Sequence, residues 1–339
     1  MVFGIVFAPL NVPLHRRIQT LATVFAVSTF FLGHVLPWLF IVVGLVCLPG
    51  CAPLLITYLF WIYVWDRDTP SRGGRHFTII RKLPIWNYFR DYFPVQLVRT
   101  VALPPDNNYV FCCHPHGVIS VGHFTAFGTE AVGFSSLFPG ITPHLLTLDM
   151  NFRAPLLRDF LMAHGICACN KESCLNCLQL GRGHSIAIII GGAAESLEAR
   201  PESTTVVLKR RKGFIKLALQ TGASLVPVFA FGENDLFKQV SNPPGSLLRR
   251  VQTRFKDTMG FAPPIFYGRG IFNYSMGLLP HRHPVYVVVG KPLAVEKVEN
   301  PNSDLVDEIH EQYTKSLREL FESHKTQYGL DDSAQLVIV

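Results

Sequence analysis

Residues 18–65 contain no Asp, Glu, Lys or Arg, and His34 is the one side chain among them that titrates near neutrality. Forty-eight such positions exceed the roughly 20 apolar residues that cross a bilayer as one helix, and they are enough for two passes. The stretch reads as a membrane hairpin. Pro49-Gly50-Cys51-Ala52-Pro53 supplies its break, because proline and glycine end helices, and Pro37 is a second candidate break. Leu54–Trp65 alone gives only about 18 Å of helix at 1.5 Å per residue. Either the second arm begins before Pro53, or the whole segment dips in from one face. His15-Arg16-Arg17 precede the stretch, and Arg67, Arg72, Arg75, Arg81 and Lys82 follow it. Both ends, and everything after Asp66, are therefore expected on the cytosolic side. A cleavable signal peptide does not fit an apolar run of this length without a small-residue cleavage site.

The expected division is an N-terminal segment with the membrane hairpin, 1–66, and a cytosol-facing domain, 67–339. Hydrophobic residues make up 49% of the chain and charged ones 16%, so apolar surface remains to be buried beyond the hairpin. The net charge of +7 favours anionic headgroups or phosphate-bearing substrates. Residues 65–98 form a basic, aromatic connector suited to a membrane interface. Beyond Asn108, Tyr109–Cys113, Ser185–Ile190, Leu225–Phe231 and Val285–Val289 read as buried strands. Helical patterns lie near Ala154–His164, Lys171–Leu180 and Gly213–Gln220, and the alternation predicts an α/β sheet. A last helix, capped by Ser303 or Asp304, presents Leu305, Ile309, Tyr313, Leu317, Leu320 and Phe321 on one face for packing. The 241–245 loop is the most strongly punctuated insertion.

In open α/β sheets, reactive groups gather where strands end, and three predicted ends carry suitable residues. They are His114-Pro115-His116-Gly117, the run Gly191-Gly192-Ala193-Ala194-Glu195-Ser196, and Phe231-Gly232-Glu233. An imidazole oriented by a carboxylate is a general base. No G-x-S-x-G nucleophile elbow occurs, so direct attack by a substrate hydroxyl is preferred to an acyl-enzyme. From Ser203 to Gly232 there is no acid, while Lys209, Arg210, Arg211, Lys212 and Lys216 supply five cations able to meet a phosphorylated co-substrate. The Walker and dinucleotide-binding glycine motifs are absent, as is any RRM, KH or zinc-finger frame, so nucleic acid is not an expected partner. Cys167, Cys169, Cys174 and Cys177 crowd into eleven residues without a second cluster, which favours packing over a structural zinc site. No metal is expected. A zinc or redox protein built on this cluster is the alternative, and stoichiometric metal would mark it.

HPHG, together with Tyr92-Phe93-Pro94, GGAAES and residues 211–233, resembles the type-2 diacylglycerol acyltransferase family, which includes monoacylglycerol and wax-alcohol acyltransferases. FAPLNVPLHRRIQTL, GFSSLFPGITPHL, LEARP and FNYSMGLLP look most like the 2-acylglycerol acyltransferases of the second type. The resemblance implies a membrane-associated glycerolipid-acyltransferase-like α/β domain in the endoplasmic reticulum membrane. It would transfer an acyl group from coenzyme A to a monoacylglycerol hydroxyl, with acyl-CoA as co-substrate and no other cofactor. By motif, His116 is the base, His114 its neighbour and Glu195 the carboxylate partner. Phe93 and Pro94 belong to a motif the family needs, and the basic run meets the coenzyme A phosphates. Amides near Gly117 or Gly191-Gly192 are candidate oxyanion donors.

Related glycerolipid acyltransferases place an aspartate five residues after the catalytic histidine, where this chain has Val121 or Ile119, so the acid must come from farther away. Glu195 leads, with Glu130 and Asp149 behind it. His123 is a second departure from the family pattern. Diacylglycerol and long-chain alcohols are alternative acceptors, self-association is open, and the rival class is a membrane lipid-binding protein that has lost turnover.

Overall fold

The computed structural model describes residues 6–9, 11–243, 245–259 and 264–339, so Pro244 of the punctuated loop and Leu10 of the N-terminal motif lie outside the described residues. In chain order the strands are β1 (Val95–Arg99), β2 (Tyr109–His114), β3 (Thr142–Thr147), β4 (Cys167–Ala168), β5 (His184–Ile189), β6 (Thr205–Val206), β7 (Ser224–Phe231), β8 (Lys238–Gln239), β9 (Phe266–Tyr267), β10 (Val285–Val289) and β11 (Val337–Ile338). Seven of them form one sheet in the order β1-β10-β7-β2-β5-β3-β4. Only the β10–β7 pair in it is antiparallel. The α/β expectation holds, and the four predicted strands lie within a residue of the observed ones.

Both faces of the sheet are covered, which is why β2 and β7 are buried along their whole length and read as continuous apolar runs. Alternate residues of β2 feed two cores. Phe111 and Cys113 join Trp86, Phe89, Phe93 and Phe127 on one face, while Val110 and Cys112 join Phe214, Tyr313 and Phe321 on the other. Within the seven-stranded sheet the strands not expected from sequence are β1, β3 and β4. β1 lies inside the basic connector, and β4 is two residues long, too short to show a period. The last helix runs Ser303–His324 and is capped by Asn302, whose side chain accepts the Leu305 N–H at 2.9 Å, one residue ahead of the expected cap.

The uncharged stretch divides in two. Its front part belongs to the helix Leu14–Leu32, which buries Gln19, Ala22, Thr23 and Val27 against the domain. Phe25 packs on Trp86 at 6.3 Å between ring centroids, and the Arg282 guanidinium donates to Gln19 Oε1 at 2.6 Å. The hairpin itself is shorter than 18–65. Leu36–Cys47 and Ala52–Phe60, the latter continued by a π-turn over Trp61–Trp65, fold back around Pro49–Cys51, with Trp38 stacked on Tyr63. The break therefore falls where the proline and glycine residues stand. Each arm rises about 20 Å, short of the roughly 30 Å apolar thickness of a bilayer. Among the described residues no single helix is long and apolar enough to cross a membrane, and the pair Leu14–Leu32 and Leu36–Cys47 is bent by 78°. The hairpin leaves Phe40, Val46, Leu48, Leu54, Phe60 and Trp65 exposed.

Asp66 moors the hairpin's end. Its Oδ2 accepts from Arg158 at 2.6 Å and from Arg75 at 2.7 Å, and its carbonyl takes a second Arg158 N–H at 2.7 Å. Arg158 is 1% exposed. Removing one partner of a buried ion pair strands the other charge, typically at a cost of several kcal/mol. Asp66→Ala is expected to lower stability by roughly 3 kcal/mol, read as a fall in Tm of the detergent-solubilised protein. An unchanged Tm would mean that Asp159, 3.8 Å from Arg158, takes over the charge.

Candidate active site

β7, β2 and β5 are adjacent and parallel, so their carboxyl ends open on one edge of the sheet. His114 is the last residue of β2, Gly191 to Ser196 follow β5, and Gly232-Glu233 follow β7. The three predicted strand ends are thus brought together, and the turn after β2 lies between the two others.

That turn is held by its backbone. Glu195 is buried, its Oε1 accepting the His116 N–H and its Oε2 the Val207 N–H, both at 2.6 Å. Glu233, buried as well, accepts the Val121 N–H at 2.8 Å and the Gly122 N–H at 2.7 Å. Neither carboxylate has a salt bridge among the described residues. Burial pushes both up to about 7, while the amides that donate to them pull the other way. The glycines make room for these acids. A Cβ on Gly117, which has φ +62°, would come within 2.7 Å of Glu233, and one on Gly191 within 2.0 Å of a Glu195 oxygen.

The imidazoles differ in role. His116 is half-buried, and its Nδ1 lies 3.0 Å from the Gly117 carbonyl oxygen. A carbonyl only accepts, so Nδ1 carries the proton and Nε2 keeps its lone pair. Nε2 has no hydrogen bond to any described residue. Burial lowers the His116 pKa, which favours the neutral ring. His114 is fully buried and within 3.0 Å of the Tyr313 hydroxyl, with burial holding it at about 3. It is a neutral core histidine. His123, also buried, donates from Nε2 to the Pro115 carbonyl at 3.0 Å and closes the turn from the other side.

Of the residues expected from sequence, His114, His116 and Glu195 come together, but Glu195 reaches His116 through its amide and the ring is oriented by the Gly117 carbonyl. Glu130 pairs with Arg81 at 3.3 Å, and Asp149 takes an Asn170 N–H at 3.1 Å, so neither fallback touches the turn. Phe93 is a core residue, 4.8 Å from Tyr92 between ring centroids. Arg211 donates to the Gly191 carbonyl at 3.1 Å, which ties the basic run to the site. Lys209, Arg210, Arg211 and Lys216 are exposed, while Lys212 is engaged by Asp307 at 2.5 Å. From sequence, Glu233 stands at a strand end without a role and Tyr313 reads as packing alone. The signal for Glu233 is its place at a predicted strand end. The signal for Tyr313 is tertiary only.

This arrangement defines an α/β enzyme site in which an uncharged histidine offers a free lone pair beside a glycine-rich, amide-rich turn. The chain matches the diacylglycerol acyltransferase family over residues 44–339. It is 46% identical over 333 residues to diacylglycerol O-acyltransferase 2 of Dictyostelium discoideum, covering 98% of this chain and 99% of that one. It is also 46% identical over 342 residues to 2-acylglycerol O-acyltransferase 1 of Bos taurus, with 98% of each covered. The crystal structure of the 1-acyl-sn-glycerophosphate acyltransferase of Thermotoga maritima aligns at 11% identity with a TM-score of 0.42, covering 91% of this chain and 97% of that one, a likeness too weak to carry weight. The chain belongs to the diacylglycerol acyltransferase family and is an acyl-CoA-dependent acyltransferase.

Burial sets the pH dependence of stability. His76, His123 and His164 are lowered to about 4, and His114 and His144 to about 3, from 6.5, whereas Glu195 and Glu233 rise to about 7 from 4.5. Between pH 4.5 and 6.5 the unfolded chain holds more protons on these five histidines, and the folded chain holds more on the two glutamates. Stability from the histidines is present above 6.5 and lost as pH falls towards their folded values. Stability from the glutamates is present below 4.5 and lost as pH rises through 7. The five outweigh the two. Tm is expected to fall as pH is lowered from 6.5 to 5, and a rising Tm in that window would contradict the burial assigned to these rings.

Proposed function

We propose that this acyltransferase moves a fatty acyl group from acyl-CoA to the free hydroxyl of a monoacylglycerol, giving diacylglycerol, at the endoplasmic reticulum membrane with its α/β domain in the cytosol. The observation that carries the reaction is the His116 ring, whose Nδ1 is engaged by Gly117 and whose Nε2 is left as the acceptor. Nε2 takes the proton of the lipid hydroxyl as its oxygen attacks the thioester carbonyl. The tetrahedral intermediate collapses with loss of the coenzyme A thiolate, to which the imidazolium returns the proton. A thioester is already activated and needs no metal, so a base and amide donors for the oxyanion suffice. Gly117 and Gly191-Gly192 are the candidate donors. Glu195 and Glu233 act as positioning residues, since both bind the backbone of the turn. The exposed apolar hairpin supports insertion into one leaflet from the cytosolic face, which would keep the site beside lipid substrates.

The monoacylglycerol assignment rests on the motifs shared with 2-acylglycerol acyltransferases and on the Bos taurus relative. Diacylglycerol is the second reading, favoured by the equally similar Dictyostelium relative. Membranes containing the chain, given labelled acyl-CoA and each acceptor in turn, distinguish the two by product. Monoacylglycerol is expected to react with the highest kcat/KM, and a preference for diacylglycerol or a long-chain alcohol would replace this assignment. His116→Ala is expected to remove turnover by a factor of at least about 10² while the protein still inserts. The acid limb of kcat/KM for the unaltered enzyme should fall below 6.5, because burial lowers the base. Normal turnover by His116→Ala would dispose of this base.

The basic run supplies the second test. Combined substitution of Lys209, Arg210 and Arg211 by alanine is expected to raise KM for acyl-CoA roughly tenfold or more. Lys212→Ala should have little effect, its ammonium being engaged by Asp307. Equal effects from both variants would remove the phosphate role.

A further inference from the structure

Of the four sulfurs crowded between residues 167 and 177, only two join the buried group on the far side of β5 from the candidate base. Cys167 comes from β4 and Cys177 from the helix Lys171–Leu178, and a third donor, His144, comes from β3. The two sulfurs and one ring nitrogen of His144 all lie within 4.8 Å of one another, and all three residues are buried. Cys167 Sγ is 3.7 Å from His144 Nδ1. Cys169 is exposed, and Cys174, though buried, is outside the trio.

We propose that His144, Cys167 and Cys177 bind one zinc ion, which fastens the segment after the hairpin to the edge of the sheet. Two sulfurs and an imidazole are the donor set of a borderline-soft cation, and zinc takes such ligands tetrahedrally. Bond lengths of about 2.3 Å to sulfur and 2.0–2.1 Å to nitrogen put tetrahedral donors roughly 3.5–3.8 Å apart. The Cys167–His144 pair is already at that separation, and the remaining contraction is at most about 1 Å. His144 is prepared for this role by its other nitrogen. Nε2 lies 3.1 Å from His184 Nδ1. When Nε2 donates there, the Nδ1 lone pair faces the sulfurs, the outer-shell arrangement usual for a histidine ligand.

The place of the trio gives it a purpose. A Cβ on Gly74 would lie 3.6 Å from Cys167 Sγ, so the backbone of the post-hairpin segment passes directly over the sulfur. The Asn176 side chain donates to the Ser71 carbonyl at 2.9 Å beside it. The ion would thus join β3, β4 and the helix beneath the chain that leads out of the hairpin, with no contact to the HPHG turn.

The full-length chain, purified in detergent with reductant and without chelator, is analysed for metal by mass spectrometry. About one zinc per chain is expected. Cys167→Ser, Cys177→Ser and His144→Ala should each lose most of it, while Cys169→Ser and Cys174→Ser should keep it. Because a substitution in a buried trio can hinder folding, the unaltered protein is also stripped and titrated with cobalt(II). A thiolate-to-cobalt absorption band saturating at one equivalent is expected. Absence of zinc together with absence of that band would overturn the proposal, as would zinc retained in both Cys167→Ser and Cys177→Ser. A disulfide between Cys167 and Cys177 in the freshly isolated, alkylated protein would overturn it in favour of redox chemistry.

Discussion

Two buried carboxylates, neither in a salt bridge among the described residues, hold the turn on which the chemistry depends. Glu195 and Glu233 follow the strands on either side of β2 and between them bind four backbone amides, three of which belong to residues 116–122. Burying an ionisable group is costly, and the upward shift of both acids records that cost, reduced at Glu195 by the Arg211 charge. What offsets it is geometric: each oxygen meets an amide that would itself otherwise be buried without a partner. A side-chain amide at either place would turn one acceptor into a donor facing an N–H. Acids are therefore required here for their acceptor pairs as much as for their charge.

Around this clamp the three histidines divide their work by burial. His114 and His123 are fully enclosed and bond to Tyr313 and Pro115, and both are neutral because the interior does not solvate a cation. His116 is the one left partly open, with a carbonyl rather than a carboxylate to fix its tautomer. A neutral carbonyl stabilises imidazolium less than an anion does, which suits a base that must give its proton up again to a thiolate. The Tyr313 contact links the last helix to the turn, so a packing residue 199 positions downstream helps set the position of β2's end.

The uncharged N-terminal stretch shows the limit of composition as a guide to surroundings. Lipid and protein interior both exclude charge, so residues 18–65 are silent as to which one they face. Leu14–Leu32 carries Gln19 and Thr23 on its inward side; Gln19 accepts from Arg282 of the domain, and the Thr23 hydroxyl donates to the Gln19 carbonyl of its own helix. Leu36–Cys47 has no such polar stripe and stays exposed. The difference was written in the spacing of a few polar residues within the apolar run.

The sequence by itself determined the α/β alternation, the central strands, the corner at Pro49–Cys51, and the polar groups at the three strand ends, because these rest on local pattern and on glycine and proline. It also carried the family, through contiguous motifs. Tertiary structure alone decided that Glu195 grips a backbone amide rather than a ring, that Glu233 accepts the amides of Val121 and Gly122, and that the base is oriented by Gly117. It alone gathered His144 with two of four crowded cysteines. Those contacts join residues up to 112 positions apart along the chain, and no local period encodes which strand will lie beside which.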